Sequence, residues 1–282
     1  MVRLIEGSEY VGIIHVEAVR KKEKTVFSSK AFKGLIKISP TVYFDKDKTP
    51  ACFIVGLGGG YVEGEKYKYS IDIKKGAAAV LTTQASTKVY KCVHDITTMQ
   101  ETSIHLAEGS ILEYVTDSVI LYKDAIYKQI NDIHMDKGAT LIYSDGITSG
   151  WSPECDVFSY KSAILKTNVY VDGRHVLLDN LYVNPRENDV TKLGYFEKYK
   201  NFGTLLVINE KITHETIENL RNEINRLTLP IDFGITLLET NGFVLRILSN
   251  YTQDIDTAVT VCHNYIRQNL LNLSSLNIRK CN

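Results

Sequence analysis

No stretch of this 282-residue sequence approaches the ~18 consecutive apolar residues that a membrane-spanning helix requires. The opening Met1-Val2-Arg3-Leu4-Ile5-Glu6 turns charged at once and offers no apolar signal core. Cysteine is sparse and badly spaced for a framework. Cys52, Cys92, Cys155, Cys262 and Cys281 are odd in number and far apart, and no C-x-x-C pair occurs. That pattern argues against a disulfide scaffold and against a structural zinc site, and it leads to the expectation of a reducing cytoplasm. Neither sign of charge dominates, with Lys plus Arg and Asp plus Glu at 33 each. There is therefore no electrostatic footprint for nucleic acid or for an anionic membrane. Catalytic signatures are missing too: no serine sits in a G-x-S-x-G elbow and no H-E-x-x-H occurs.

One run imitates a nucleotide site. Gly56-Leu57-Gly58-Gly59-Gly60 has the start of a dinucleotide fingerprint, but Tyr61 stands where the third glycine belongs and a strand follows instead of a helix. The spacing Gly59 to Gly64 resembles a phosphate loop, yet Glu65 follows Gly64 in place of lysine and would repel a phosphate. These glycines are better read as a sharp reversal or a close backbone approach.

What the sequence does contain is β-forming. It carries seventeen tyrosines and only five prolines. In Lys66–Ile73, Tyr67, Tyr69, Ile71 and Ile73 alternate with polar residues, the period of a half-buried strand. A weak repeat is centred on Gly76, Gly109 and Gly138. Each glycine is preceded by apolar-x-apolar and two further residues, and followed by a small residue and an apolar run. The unit is a strand–turn–strand corner recurring at about 30 residues, which predicts stacked β-strands or hairpins. The last 80 or so residues differ. Gly203 to Ile208 reads as a strand. Thr213 caps a helix with apolar face Ile217, Leu220, Ile224 and Leu227, ending before Pro230. Asn241-Gly242 joins two apolar runs as a hairpin, and a second helix, capped by Asp254 or Asp256, runs to about Leu271. The expected fold is mostly β, a helical stack of strands with two α-helices in the C-terminal part. Residues 1–202 form the stack, and 203–282 pack on it within one continuous domain.

Candidate ligands are scattered. Cys92 and His94 share a face if their stretch is a strand, one thiolate and one imidazole that suit a transient borderline metal; an ordinary pair is the plainer reading. His105 and His134 occupy equivalent repeat positions and are expected to be neighbours. Glu63 and Glu65 flank Gly64 at the start of a strand, while Glu113, Asp117 and Asp145 fall at or just beyond outgoing strands of the second and third repeats. Acids at related positions of stacked units either line a cavity or form a solvated face. Two carboxylates in a β-rich protein also keep a carbohydrate-binding or carbohydrate-acting reading open, since sequence cannot measure their separation.

The run Gly58-Gly59-Gly60-Tyr61-Val62-Glu63-Gly64-Glu65 resembles the G-G-x-V-G-G-D segment of the UreD (UreH) urease accessory proteins. The run Gly76-Ala77-Ala78-Ala79-Val80-Leu81-Thr82-Thr83, continued by Thr87-Lys88-Val89-Tyr90, is similar to that family's G-A-x-x-x-L-T-T-x-x-x-T-K-x-Y signature. The resemblance continues through Gly109–Tyr114, Asp117–Tyr122, Ala125, Gly138-Ala139 and Asp145–Ser152, with ordered matches over roughly residues 56–160 and looser likeness beyond. The resemblance implies a non-catalytic urease maturation factor that binds the urease apoprotein and UreF, with the GTPase UreG reached through UreF. It leaves open a homodimer of this chain within the complex. It also implies no stably bound cofactor, but nickel in transit through an interior channel. The family's acidic positions fall on Glu65 and Asp145, with Glu63, Glu113 and Asp117 as further candidates for the nickel pathway. Glu63 in place of a common glycine, Glu65 in place of aspartate and Trp151 where many members have arginine are departures that bear on the channel lining.

Overall fold

The computed structural model describes residues 9–278, so Cys281 and the charged opening at residues 1–6 lie outside the described residues. The first strands are β1 (Gly12–Lys21), β2 (Lys24–Gly34), β3 (Ile36–Ile38), β4 (Val42–Tyr43) and β5 (Pro50–Gly56). The repeat region follows with β6 (Lys66–Ile73), β7 (Ala78–Thr83), β8 (Lys88–Val89), β9 (Thr98–Leu106), β10 (Ile111–Val115), β11 (Ile120–Leu121), β12 (Ile126–Met135) and β13 (Thr140–Thr148). The chain then forms β14 (Ser162–Val171), β15 (Arg174–Val183), β16 (Asn201–Ile208), α1 (His214–Arg226), β17 (Ile231–Leu237), β18 (Gly242–Ser249) and α2 (Thr252–Asn269).

The three glycine corners set the architecture. Gly76, Gly109 and Gly138 all have positive φ, at 64°, 66° and 78°. Each is the third residue of a four-residue turn closed by Ala77 N to Lys74 O, Ser110 N to Ala107 O and Ala139 N to Asp136 O. A side chain there would be strained, because an L-residue at positive φ brings Cβ against the following carbonyl. The two strands of a corner do not pair with each other. Instead β6, β9 and β12 pair in parallel within a seven-stranded sheet ordered β15-β14-β12-β9-β6-β1-β2. Likewise β7, β10 and β13 pair in parallel within a nine-stranded sheet ordered β17-β18-β16-β13-β10-β7-β5-β3, with β4 alongside β5. The short β8 and β11 form a third wall. The result is a mostly β, solenoid-like stack with two helices, as the repeat predicts; successive units stack through parallel ladders, whereas a hairpin would pair antiparallel.

Register brings like residues together. Ile71, Ile104 and Ile133 are partners across the ladder, and so are His105 and His134, whose rings stack at 5.2 Å on the outer face. Inside, the rows nearest the glycine corners are apolar: Ile73, Leu106 and Met135, then Ile71, Ile104 and Ile133. The next two rows are polar: Tyr69, Thr102, Asn131 and Thr167, then Tyr67, Gln100 and Gln129. One half of the interior is thus a dry core and the other a polar tract.

The helices cover the outer face of the nine-stranded sheet. α1 begins at Thr213, whose hydroxyl accepts from Thr216 N while Thr216 Oγ1 accepts from Thr213 N. That reciprocal cap is the expected one, and Ile217, Leu220 and Ile224 are buried as the periodicity predicts. α2 departs from expectation: its N-cap is Tyr251, with no side-chain cap, and Asp254 lies in the first turn, where its carboxylate accepts from Ser249 Oγ. A carboxylate in the first turn still favours the helix through the N-terminal dipole. The expected β17–β18 hairpin forms, but its turn is not Asn241-Gly242: the loop spans 238–241, closed by Leu238 N to Gly242 O, and Gly242 is already the first residue of β18.

Candidate functional site

The polar rows border two adjoining cavities, and a third continues beyond them beside α2. The first, about 200 Å³, lies between Gly58–Gly60, Tyr61, Tyr67, Tyr69 and Thr83–Lys88. The second is a constriction of about 10 Å³, space for roughly one water, lined by Tyr69, Gln100, Asn131, Tyr143, Asp117 and Asp145 among others. The third, about 490 Å³, is walled by Thr116, Asp117, Asp145, one side of α2 and the strap Leu276–Ile278. Neighbouring cavities share walls. Tyr69, Thr83 and Thr87 belong to the first and second; Thr116, Asp117 and Asp145 belong to the second and third.

Tyrosines build the tract. Tyr61 stacks on Tyr67 at 3.6 Å, and its hydroxyl lies 2.6 Å from that of Tyr69. Tyr61 also donates to Gln100 Oε1 at 3.1 Å. Aromatic rings fill the space while their hydroxyls keep the lumen hydrogen-bonded, so the interior is wide without being apolar.

Two of the predicted acids stand at opposite ends of this tract. Glu65 Oε2 accepts from Tyr67 Oη and from Val62 N, both at 2.8 Å, so it sits one hydroxyl from the first cavity. Asp145 lies on β13 and borders the second and third cavities. Its Oδ2 accepts from Tyr143 Oη at 2.7 Å and from Gln129 Nε2 at 3.5 Å. Burial pushes its carboxyl up to about 7, and the Tyr143 hydrogen bond offsets only part of that rise. Asp117 joins Asp145 at the same walls, with Oδ2 accepting from Thr83 Oγ1 at 2.7 Å.

The other two are placed elsewhere. Glu63 clamps a loop: it accepts from the backbone N–H groups of Val93, His94 and Ile96 at 2.7–3.0 Å, with the His94 ring nitrogen at 3.3 Å. Burial works to raise its pKa, but these donors outweigh it and hold the carboxyl at about 2. Glu113 is in register with Val80 and Ile142 on the face of β10 that points under α2, away from the tract. Both its oxygens are engaged, one by Arg267 and one by His263, and Arg267 also grips Asp45. Burial would raise the Glu113 pKa, yet the paired His263 and Arg267 lower it. Cys92 and His94 do not share a strand face. Cys92 is buried and accepts from Ile126 N through Sγ, while His94 is exposed on the loop. Among the described residues, no three His, Cys, Asp or Glu side chains are grouped to hold one metal ion.

Sequence reasoning missed Gln129, Asn131 and Tyr143. Their signal was present: in Ile126–Met135 the buried phase runs Tyr127, Gln129, Asn131, Ile133, Met135, and two amides in an inward phase mark a polar interior.

Known proteins are similar to this chain over nearly its whole length. The family model described as UreD urease accessory protein matches residues 11–280. The chain is 39% identical over 271 residues to the Urease accessory protein UreD of Streptococcus thermophilus, covering 96% of this chain and 97% of that one. It is 36% identical over 260 residues to the protein of that name from Lachnoclostridium phytofermentans, covering 92% and 94%. Against the Bacillus cereus protein of that name it is 34% identical over 269 residues, covering 95% and 98%.

Proposed function

The chain belongs to the UreD urease accessory protein family, whose role is urease maturation, and from that premise we propose that it is a non-catalytic scaffold that conducts nickel. In this reading it binds apo-urease and UreF, UreG docks through UreF, and nickel crosses the solenoid interior to the urease active site. The observation that carries the reading is the line of three wall-sharing cavities, with Glu65 beside the first and Asp145 and Asp117 where the second meets the third. Carboxylates on either side of the polar tract and neutral hydroxyl and amide oxygens between them suit a divalent cation that must be held weakly and released; a Cys/His cage would retain it. The energy source belongs to a partner GTPase, in keeping with Glu65 where a phosphate loop would need lysine. The proposed location is the cytoplasm, supported by the free thiols Cys52, Cys92, Cys155 and Cys262.

The carbohydrate reading gains nothing from the aromatic row of half-buried Tyr90 and Tyr122 with exposed Trp151. Tyr90 meets Tyr122 edge-on, at an interplanar angle of 89°, so the Tyr90–Tyr122–Trp151 row is no flat platform for a sugar ring.

The test is urease activation reconstituted from apo-urease, UreF, UreG, GTP, nickel and bicarbonate, with and without this chain. Activity and urease nickel content should rise only when it is present. Glu65→Gln and Asp145→Asn should lower nickel content while the complex still assembles. Equal activation without the chain refutes the scaffold role, and normal loading by both variants refutes the conduit.

A further inference from the structure

Tyr143 is the most heavily committed hydroxyl in the tract. Asn131 Nδ2 donates to it at 2.8 Å and Gln129 Nε2 at 3.2 Å, and it donates to Asp145 Oδ2 at 2.7 Å. A phenol has one hydrogen to give and two lone pairs. With both lone pairs occupied by amide donors, that hydrogen can go only to the carboxylate. The amides are themselves anchored. Asn131 Nδ2 also donates to Thr167 Oγ1 at 3.0 Å, and Gln129 Oε1 accepts from Tyr127 Oη at 3.1 Å.

The geometry fixes which way Asn131 faces. Because Tyr143 spends its hydrogen on Asp145, the Asn131 atom beside it must be the nitrogen. That orientation leaves Asn131 Oδ1 buried with no hydrogen-bond partner among the described residues. An unpaired buried amide oxygen is costly. A network optimised for stability alone would pair it or replace the residue with an apolar one. Meanwhile Asp145 Oδ1 makes no hydrogen bond among the described residues, although Asp145 borders two cavities.

We propose that Asn131 and Gln129 are positioning residues, which act through the Tyr143 hydroxyl to tie down one oxygen of Asp145 and leave the other turned to the cavities to meet a passing divalent cation. This inference rests on the conduit reading. It adds an outer layer to that reading: β12 supplies the amides, β13 supplies the phenol and the ligand, and Thr167 on β14 anchors the far end. Outer partners of this kind set the orientation of a ligand without touching the cargo.

A double-mutant cycle in the reconstituted activation assay tests it, reading nickel per assembled urease complex, with thermal melting as a check on folding. The variants are Asp145→Asn, Tyr143→Phe, Asn131→Ala and the Asn131→Ala/Tyr143→Phe pair. Tyr143→Phe removes one oxygen and keeps the ring and the β13 pairing. It should lower nickel transfer about 10-fold, the scale seen when outer-shell partners of metal ligands are removed. Asn131→Ala should lower transfer in the parent chain and add nothing on top of Tyr143→Phe. A loss from Asn131→Ala that is equally large in the Tyr143→Phe background overturns the proposal, because Asn131 would then act independently of the hydroxyl. Normal transfer by Tyr143→Phe alongside impaired Asp145→Asn also overturns it while leaving the conduit standing. Normal transfer by Asp145→Asn removes Asp145 from the conduit and overturns this inference, whereas the conduit reading itself falls only if Glu65→Gln also loads normally. If Asn131→Ala does not fold, Asn131→Ser takes its place in the cycle, and Tyr143→Phe alone still decides.

Discussion

Replacing Asp145 by asparagine should make the protein more stable, and by an amount that depends on pH. Burial raises this carboxyl from an ordinary 3.8 to about 7. The folded state therefore holds a proton that the unfolded state releases, and stability falls as pH rises from about 4 to about 7. Below that window both states are protonated and the penalty vanishes; above it both are ionised and the penalty is complete. A shift of this size corresponds to roughly 4 kcal/mol when fully developed and about 1.5 kcal/mol at pH 5. Asparagine is isosteric, can still accept the Tyr143 hydrogen bond and never ionises, so Asp145→Asn should recover most of that penalty. The unfolding entropy of a chain this long is roughly 0.6 kcal/mol/K, so the variant should melt about 7 °C above the parent at pH 8 and about 3 °C above it at pH 5. Circular dichroism melts across pH 5–8, on the isolated chain without nickel, measure this directly. The reasoning is refuted if the two melting curves keep the same separation at both pH values, or if the variant is the less stable at pH 8. A more stable variant that delivers less nickel would show that the buried acid is kept at a cost in stability.

Other consequences follow from the same structure. Arg267→Met strips the cation from two buried carboxylates, Asp45 and Glu113. It should cost about 3–5 kcal/mol, or about 5–8 °C in melting temperature. Because the folded Glu113 pKa is depressed, its stabilising contribution is present above its ordinary value and is lost as pH falls, so the deficit should shrink in melts run toward pH 4. Gly109→Ala isolates the conformational cost of positive φ, since a Cβ there meets nothing within 4 Å; urea unfolding should show a loss of about 1–2 kcal/mol. Gly150→Ala should lose more, because its Cβ would also stand 2.3 Å from the Leu121 carbonyl oxygen. Glu63→Gln weakens the charged acceptor for three loop amides, so hydrogen exchange at Val93, His94 and Ile96 should accelerate about 10-fold or more while exchange in β6 is unchanged.

Much of the fold is local and was readable. The glycine spacing marks the corners because positive φ is a demand on one residue, visible without its neighbours. Thr213 and the Ile217–Leu220–Ile224 face likewise act within a few residues of themselves. Even the misplaced start of α2 is a matter of three to five residues. The acids were less legible. Glu63, Glu65, Glu113, Asp117 and Asp145 look alike in sequence, yet one clamps a loop, one is locked under a helix and three border or approach the polar tract.

Sequence by itself determined the alternation, the corners and the period, and with them a stack in which equivalent strands of successive units lie side by side. It also determined the family, through runs of neighbouring residues. Only the tertiary structure decided which side of each strand faced which layer. Glu113 and Tyr114 are adjacent, but a strand sends successive side chains to opposite faces. One therefore meets Arg267, 154 positions away, and the other the polar tract. The environment of an acid depends on partners brought in by sheet register and helix packing across such separations, and that information is not carried by the residues beside it.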